Sequence, residues 1–123
     1  MSHQNSWLKN GLHRTFTGKV SGKEILDSNL ALHGDPRFDR IDYVLNDFLS
    51  IDGFEITIGD VNIISTVDNV AAISKNNLKI AIVANNTELL QWIDAYLEMM
   101  QGSRYTAAVF SQHDDALKWV EQE

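Results

Sequence analysis

The sequence predicts an α/β fold in which alternating βα units form a four- to five-stranded, mostly parallel sheet. Residues 79–84 are an apolar run that leads directly into a helical pattern, and residues 105–110 lead into a second one. Strands that are apolar at successive positions must be covered on both faces, which is typical of the interior of a parallel sheet. The chain of 123 residues has the usual size of one domain, and we expect residues 1–123 to form a single domain.

The first predicted strand is followed at once by a capped helix. Residues 13–20 alternate between apolar and polar side chains, which predicts a strand near the edge of the sheet. Ser21 and Glu24 have the spacing of a capping box, in which two side chains satisfy backbone amides at the start of a helix. Gly34 supplies the signal that ends this helix.

The middle of the chain predicts a second strand over residues 41–49 and a helix from Asp60 through Ile73. Apolar residues at spacings of three and four indicate the helix. Residues 50–60 contain a brief alternation that is flanked by glycines, and glycines mark turns. We therefore predict a loop there, with at most a short extended piece.

Charge and composition exclude several classes of function. The chain has 10 Lys and Arg against 17 Asp and Glu, which gives a net charge of -7. An acidic surface repels a phosphate backbone, so we expect neither nucleic acid nor an anionic membrane as a partner. The chain has no cysteine, and it lacks the run of roughly 20 apolar residues that a membrane-spanning helix needs. We expect a protein that does not span the membrane and that is located in the cytoplasm.

Motifs for catalysis or for cofactors are missing from the sequence. There is no G-x-S-x-G elbow for a nucleophilic serine and no glycine-rich loop for a phosphate. His3, His13, His33 and His113 have no spacing that places two imidazoles on one helix face, and we expect them to be solvated. The sequence therefore predicts no cofactor, no metal and no enzymatic activity.

The candidate binding residues follow the strands, because ligands of open α/β sheets collect outside the carboxyl ends of the strands. Asn86 is also a good helix cap, and Ser111 with Asp114 has the spacing of a second capping box, so these residues have a structural explanation as well. The loop that Ser50 and Asp52 open is longer than a connection needs to be. The full candidate set is Ser50, Asp52, Gly53, Thr57, Asn85, Asn86 and Ser111.

The running pattern of the chain resembles the STAS family, named for sulfate transporters and anti-sigma-factor antagonists. The resemblance is to its SpoIIAA-like branch of small stand-alone bacterial proteins, which is also associated with the CRAL-TRIO lipid-binding fold. The residues that carry it are Phe16-Thr17-Gly18-Lys19-Val20-Ser21, Asp47-Phe48, Lys79-Ile80-Ala81-Ile82-Val83, and Val109-Phe110 leading to Ala116-Leu117-Lys118-Trp119. The resemblance implies a non-enzymatic module that binds a protein partner or a small apolar ligand.

The phosphorylation motif of this family is not reproduced. Members that act as switches carry an Asp-Ser-Ser-Gly-type motif at the start of the second long helix. Residues 57–61 stand at that place and read Thr-Ile-Gly-Asp-Val, while Ser50 with its neighbours only loosely echoes the motif. No phosphorylation site is therefore assigned.

Two functional hypotheses follow from the residues and the resemblance. The leading one is protein–protein interaction in bacterial signalling, with residues 50–60 and the neighbouring strand-end loops as the contact. The alternative is a small apolar ligand or lipid held between helices. It is suggested by Ile63, Ile64, Val67, Leu89, Ile93, Met99 and Met100. An exposed apolar helix face could also form a homodimer.

Overall fold

The computed structural model describes residues 3–75 and 77–122. Within these residues one five-stranded sheet has the strand order β1-β2-β3-β4-β5, with β1 antiparallel to β2 and all other neighbours parallel. The predicted α/β fold with a mostly parallel sheet is thus confirmed. The strands are β1 (His3–Trp7), β2 (Gly11–Ser21), β3 (Tyr43–Glu55), β4 (Lys79–Val83) and β5 (Thr106–Phe110), and the helices are α1 (Gly22–His33), α2 (Ile58–Ser74), α3 (Thr87–Met99) and α4 (His113–Glu121).

Helices cover both faces of the sheet, as buried parallel strands require. Helices α1, α2 and α3 pack on one face and form the larger core together with Val44, Ile80 and Ile82. Helix α4 covers part of the other face, where Ala116 and Val120 contact the alternate strand residues, namely Tyr43, Leu45, Ala81 and Val83.

An edge strand that the sequence pattern did not indicate precedes the first predicted strand. Strand β1 pairs antiparallel with β2 from His3 opposite Phe16 to Trp7 opposite Leu12. The strand predicted over residues 13–20 does lie near the edge, but it is second in the sheet, because β1 forms the edge itself. The ring of Trp7 lies under the guanidinium of Arg37, with 4.1 Å between the guanidinium carbon and the ring centroid.

Strand β3 is longer than predicted, and the loop predicted over residues 50–60 is wrong for most of its length. The strand continues to Glu55, and it pairs with β2 as far as Ser21 opposite Glu55, with two register shifts. Its pairing with β4 ends at Asp47 opposite Val83. Residues 48–55, here called the β3 arm, therefore extend beyond β4, and this position explains why the arm carries polar residues and a glycine.

Three of the helices begin with side-chain caps. Ser21 Oγ accepts a hydrogen bond from the amide of Glu24 at 3.1 Å, and Asn86 Oδ1 accepts from the first amides of α3, as predicted. Helix α2 begins two residues earlier than predicted because Thr57 and Asp60 form a complete capping box.

The capping box predicted for the last helix is wrong. Helix α4 has Gln112 as its N-cap residue and has no side-chain cap hydrogen bond. Ser111 lies one residue too early in the chain for its hydroxyl to reach the amides of the first turn.

We predict that Gly11→Ala destabilises the fold by about 1–3 kcal/mol, whereas Gly53→Ala changes its stability by less than ~0.5 kcal/mol. A Cβ on Gly11 would overlap the buried ring of Tyr43 on the neighbouring strand, and a Cβ on Gly53 would have no atom within 4 Å. Urea unfolding of both variants measures the difference. Equal stabilities for the two variants would contradict the close approach of Gly11 to Tyr43.

Candidate functional site

The sequence-predicted candidates lie at the carboxyl edge of the sheet. Ser50 and Asp52 are exposed on the β3 arm, and Asn85, Asn86 and Ser111 are exposed just after β4 and β5. Because these strands are parallel, their ends share one edge of the molecule. Within the described part of the chain, no hydrogen bond joins the arm residues to the other three.

Two of the candidates have a clear structural role. Asn86 caps α3, and Thr57 forms the capping box of α2. Gly53 lies in the β3 arm and pairs with Lys19 of strand β2. The exposed groups that remain for a partner at this edge are those of Ser50, Asp52, Asn85 and Ser111.

A second candidate site, which the sequence analysis missed, is a group of buried polar side chains in the larger core. They come from β2, α1, β3, α2 and α3, so five elements meet there. We call them the buried polar cluster, and its members are Arg14, Ser28, Asn29, His33, Asn46, Asp68 and Tyr96. The sequence contains one indication of this cluster. Arg14 is a charged residue on the strand face that it shares with the apolar residues Leu12 and Phe16.

Arg14 is the cation of the cluster, and its residue surface is only 3% exposed. Its Nε donates to Asn46 Oδ1 at 2.7 Å, and its Nη1 donates to Ser28 Oγ at 2.6 Å. Burial lowers the pKa of Arg14 to about 10, so the guanidinium stays protonated at neutral pH.

Asp68 is the carboxylate of the cluster and is 4% exposed. It accepts a hydrogen bond of 2.6 Å from the hydroxyl of Tyr96 and one of 3.1 Å from Asn29 Nδ2. Burial raises the pKa of Asp68 to about 6, although Tyr96, Arg14 and Asn29 oppose this shift. His33 Nε2 lies 3.6 Å from Asp68 Oδ1, and burial followed by the charge of Arg14 lowers the pKa of His33.

Six members of the buried polar cluster, all but Ser28, line a cavity of about 90 Å³ between the sheet and helices α1, α2 and α3. Most of the other walls are apolar, and they include Phe16, Phe48 and Ile82. Two buried polar atoms of the cavity residues, Asn29 Oδ1 and Tyr105 Oη, have no hydrogen-bond partner among the described residues. Burial and the charge of Asp68 raise the pKa of Tyr105.

An outer groove of about 480 Å³ lies between β1 and α1. Its walls include His3, Trp7 and Glu24, and it shares Arg14 and Leu32 with the cavity. The side chains of Arg14 and Leu32 therefore stand between the groove and the cavity.

The residues suggested for an apolar ligand do not form one pocket. Ile64, Leu89 and Ile93 line the cavity, whereas Ile63 points outward and is 51% exposed. The others, Val67, Met99 and Met100, are not part of the cavity wall. A volume of about 90 Å³ is also small, since an engineered cavity of about 150 Å³ holds a single benzene.

The prediction that the histidines are solvated is wrong, because all four are partly buried. His13 Nε2 lies 3.0 Å from the hydroxyl of Tyr43, and burial lowers the pKa of His3, His13 and His33. No group of three or more His, Asp or Glu side chains that could hold a metal ion is found in residues 3–75 and 77–122. Across the same residues, no helix is both long and apolar enough to cross a membrane.

Comparison with known proteins identifies the fold. A solved structure of an uncharacterized protein of the DUF3478 family from Shewanella loihica PV-4, described as having a SpoIIAA-like fold, is similar to this chain with a TM-score of 0.52. The match covers 96% of this chain and 91% of that one, at 15% sequence identity. No protein-family model matches the sequence, and no curated protein is similar to it. The predicted SpoIIAA-like fold is therefore confirmed.

We predict that Asp68 makes the fold less stable as the pH rises from about 4 to about 6. Its folded-state pKa of about 6 lies above the ordinary pKa of an aspartate, which is 3.8. The folded state thus holds this proton more tightly, and the stabilisation that is present at low pH is lost as Asp68 ionises. The loss is on the order of 2–3 kcal/mol.

Asp68→Asn isolates this effect in urea unfolding between pH 4 and pH 7. The histidines with lowered pKa values titrate in both proteins and contribute the opposite slope, so the difference between wild type and variant reports Asp68. We expect the free energy of unfolding of the wild type to fall relative to that of the variant up to about pH 6. Above that pH the difference should stay constant. A difference that does not depend on pH would contradict the raised pKa.

Proposed function

We propose that this protein is a non-enzymatic regulatory module of the bacterial cytoplasm that binds a protein partner at the carboxyl edge of its sheet. The observation that supports this proposal is the β3 arm. Residues 48–55 pair with β2 on one side and extend beyond the last residue of β3 that pairs with β4. The SpoIIAA-like fold supports a small stand-alone module but leaves the partner open.

The β3 arm suits binding by strand addition. A strand edge that is not paired within its own sheet presents backbone N–H and C=O groups to a segment of another chain. Leu49, Ser50 and Asp52 are exposed along the arm, so side chains there can select the partner. Phe48 and Phe54 pack against the core and hold the arm in place.

We propose that a second copy of the chain binds at another surface, the outer face of α2. Ile63, Val70 and Ile73 lie on one stripe of this helix and are 51%, 62% and 70% exposed. The only charged residues of α2 are Asp60, in the first turn, and Asp68, which is buried. Two chains that each carry a net charge of -7 repel each other, so they associate most readily through a face that has no charge.

An antiparallel arrangement of the two α2 helices would also match their ends. Asp60 lies in the first turn, while Lys75 follows the last turn and Arg104 donates to the carbonyl of Ile73. In a symmetric pair, the end of each α2 that carries Lys75 and Arg104 would approach the acidic first turn of the other copy. The two helix dipoles would oppose each other, which is favourable as well.

A second candidate function is the binding of a small ligand in the core cavity. One observation favours it: charged and polar groups that are expensive to bury line a cavity that is otherwise apolar. This candidate replaces the lipid site between α2 and α3, because the residues suggested for that site do not share one pocket.

For the β3 arm, we predict that a photo-crosslinking amino acid at position 52 captures a specific protein in an extract of the source cells. The double substitution Leu49→Asp with Ser50→Lys in the same protein should reduce this crosslink at least fivefold, since charges on an exposed edge oppose strand addition. The measurement is the intensity of the crosslinked band, identified by mass spectrometry.

The matched control carries the crosslinker at Asp27, which is exposed on α1, away from the arm. If the same band forms from position 27, the arm is not the contact. The same holds if Ser50→Ala with Asp52→Ala, in a protein without the crosslinker, leaves capture of the identified partner in a pull-down unchanged.

For the α2 face, we predict that the wild type forms a dimer in sedimentation experiments and that Val70→Glu weakens the dimer at least tenfold. In the antiparallel pair the two Val70 side chains lie near the symmetry axis, so the variant would place two carboxylates together in an apolar contact. Leu8→Glu is the control, because Leu8 is 47% exposed in the connection between β1 and β2. A wild type that stays monomeric at high concentration would contradict the proposal.

A further inference from the structure

The charges of Arg14 and Asp68 face the same cavity without touching each other. Each influences the pKa of the other, yet the two side chains, both within the described part of the chain, form no ion pair within 4.0 Å. Buried charges are normally paired directly or solvated by fixed polar groups, because burial otherwise costs much free energy. Their separation leaves room for a polar group that contacts both.

The sum of these charges limits what that group can be. At neutral pH Arg14 is cationic and Asp68 is largely ionised, so the charges cancel. An anionic ligand would bring a second negative charge beside Asp68, and a cationic one would face Arg14. The cavity therefore suits a neutral, dipolar molecule.

The two unpaired atoms specify its hydrogen-bonding groups. Asn29 Oδ1 can only accept a hydrogen bond, so it requires a donor from the ligand. Tyr105 Oη can donate, so it suits a ligand acceptor. Both residues interact with Asp68: Asn29 through its Nδ2 and Tyr105 through the electrostatic effect on its pKa. A ligand that satisfies both atoms must therefore carry a hydrogen-bond donor and a hydrogen-bond acceptor close together.

The size of the cavity limits the ligand to a few atoms. A volume of about 90 Å³ corresponds to about three water molecules at ~30 Å³ each. Scaled from a cavity of about 150 Å³ that holds the six carbons of benzene, it accommodates roughly four non-hydrogen atoms.

We propose that the cavity between the sheet and helices α1, α2 and α3 binds a small neutral carboxamide. Its carbonyl oxygen accepts from the hydroxyl of Tyr105, and its N–H group donates to Asn29 Oδ1. This inference rests on the second candidate function and names its ligand class. The ligand enters from the outer groove, past Arg14 and Leu32, which line both spaces.

Three probes of four non-hydrogen atoms each test the class of ligand. Acetamide donates and accepts hydrogen bonds, acetone only accepts, and acetate adds a negative charge. Each is titrated into ¹⁵N-labelled full-length protein while amide and side-chain resonances around Asn29 and Tyr105 are followed by NMR. We expect saturable shifts with acetamide, with a dissociation constant in roughly the millimolar range for so small a ligand, and at least tenfold weaker binding of acetone and acetate.

Each outcome decides between the proposals. Equal binding of acetone and acetamide would overturn the carboxamide class while small-ligand binding stands. The absence of saturable shifts with all three probes would overturn both the carboxamide class and small-ligand binding in the cavity, and the cavity would then be a hydration site. Stronger binding of acetate would overturn the neutral class in favour of an anion held by Arg14.

A pair of tyrosine variants tests the hydrogen bond from Tyr105. Tyr105→Phe should weaken acetamide binding about tenfold, and it should fold well because the lost hydroxyl has no partner in the protein. The control is Tyr43→Phe, since Tyr43 packs on the opposite face of the sheet. If both variants bind acetamide as the wild type does, Tyr105 does not hold the ligand, and the proposed site is wrong.

Discussion

The parallel pairing of β2, β3, β4 and β5 is the constraint on which the rest of this structure depends. Parallel neighbours cannot be joined by tight turns, so the chain must cross over between them, and in this protein each crossover contains a helix. These helices cover one face of the sheet, and α4, which follows the last strand, covers part of the other. The same pairing brings the carboxyl ends of the strands to one edge, where the exposed polar residues of three connections collect.

The buried polar cluster works against this apolar packing, and it also joins the elements together. Arg14 on β2 is linked to α1 and β3 through Ser28 and Asn46, while Asp68 on α2 is linked to α1 and α3 through Asn29 and Tyr96. Apolar side chains of similar volume would fill this space at lower cost, since buried charges rarely add to stability. A cavity lined by two unpaired polar atoms and two separated charges is therefore better explained by a ligand than by stability alone.

The parts of the fold that could be predicted are those where local pattern and tertiary environment agree. The units of β4 with α3 and of β5 with α4 were predictable because their strands are apolar throughout. Strand β1 was not, because its residues are mostly polar and it is held by backbone pairing to β2 and by contacts of its end residues, such as that of Trp7 with Arg37, which no local pattern shows. The sequence predicts a loop in place of the β3 arm for a similar reason: beyond β4 a strand needs no continuous apolar run. The candidate site was predictable only at the sheet edge, since no local pattern shows that Arg14 and Asp68, 54 positions apart in sequence, face one cavity.

Two of the proposed binding regions, the β3 arm and the core cavity, are connected through one pair of aromatic rings. Phe48 is the first residue of the β3 arm, and its ring stacks on Phe16 with a centroid distance of 4.5 Å and an interplanar angle of 8°. Both rings also line the cavity, and so does Ile56, which directly follows the arm. A well-packed core transmits small displacements, because its side chains have little free volume to absorb them. A ligand that moves the ring of Phe48 would therefore move the backbone at the start of the arm, and in this way the content of the cavity would be coupled to the shape of the edge that a partner strand meets.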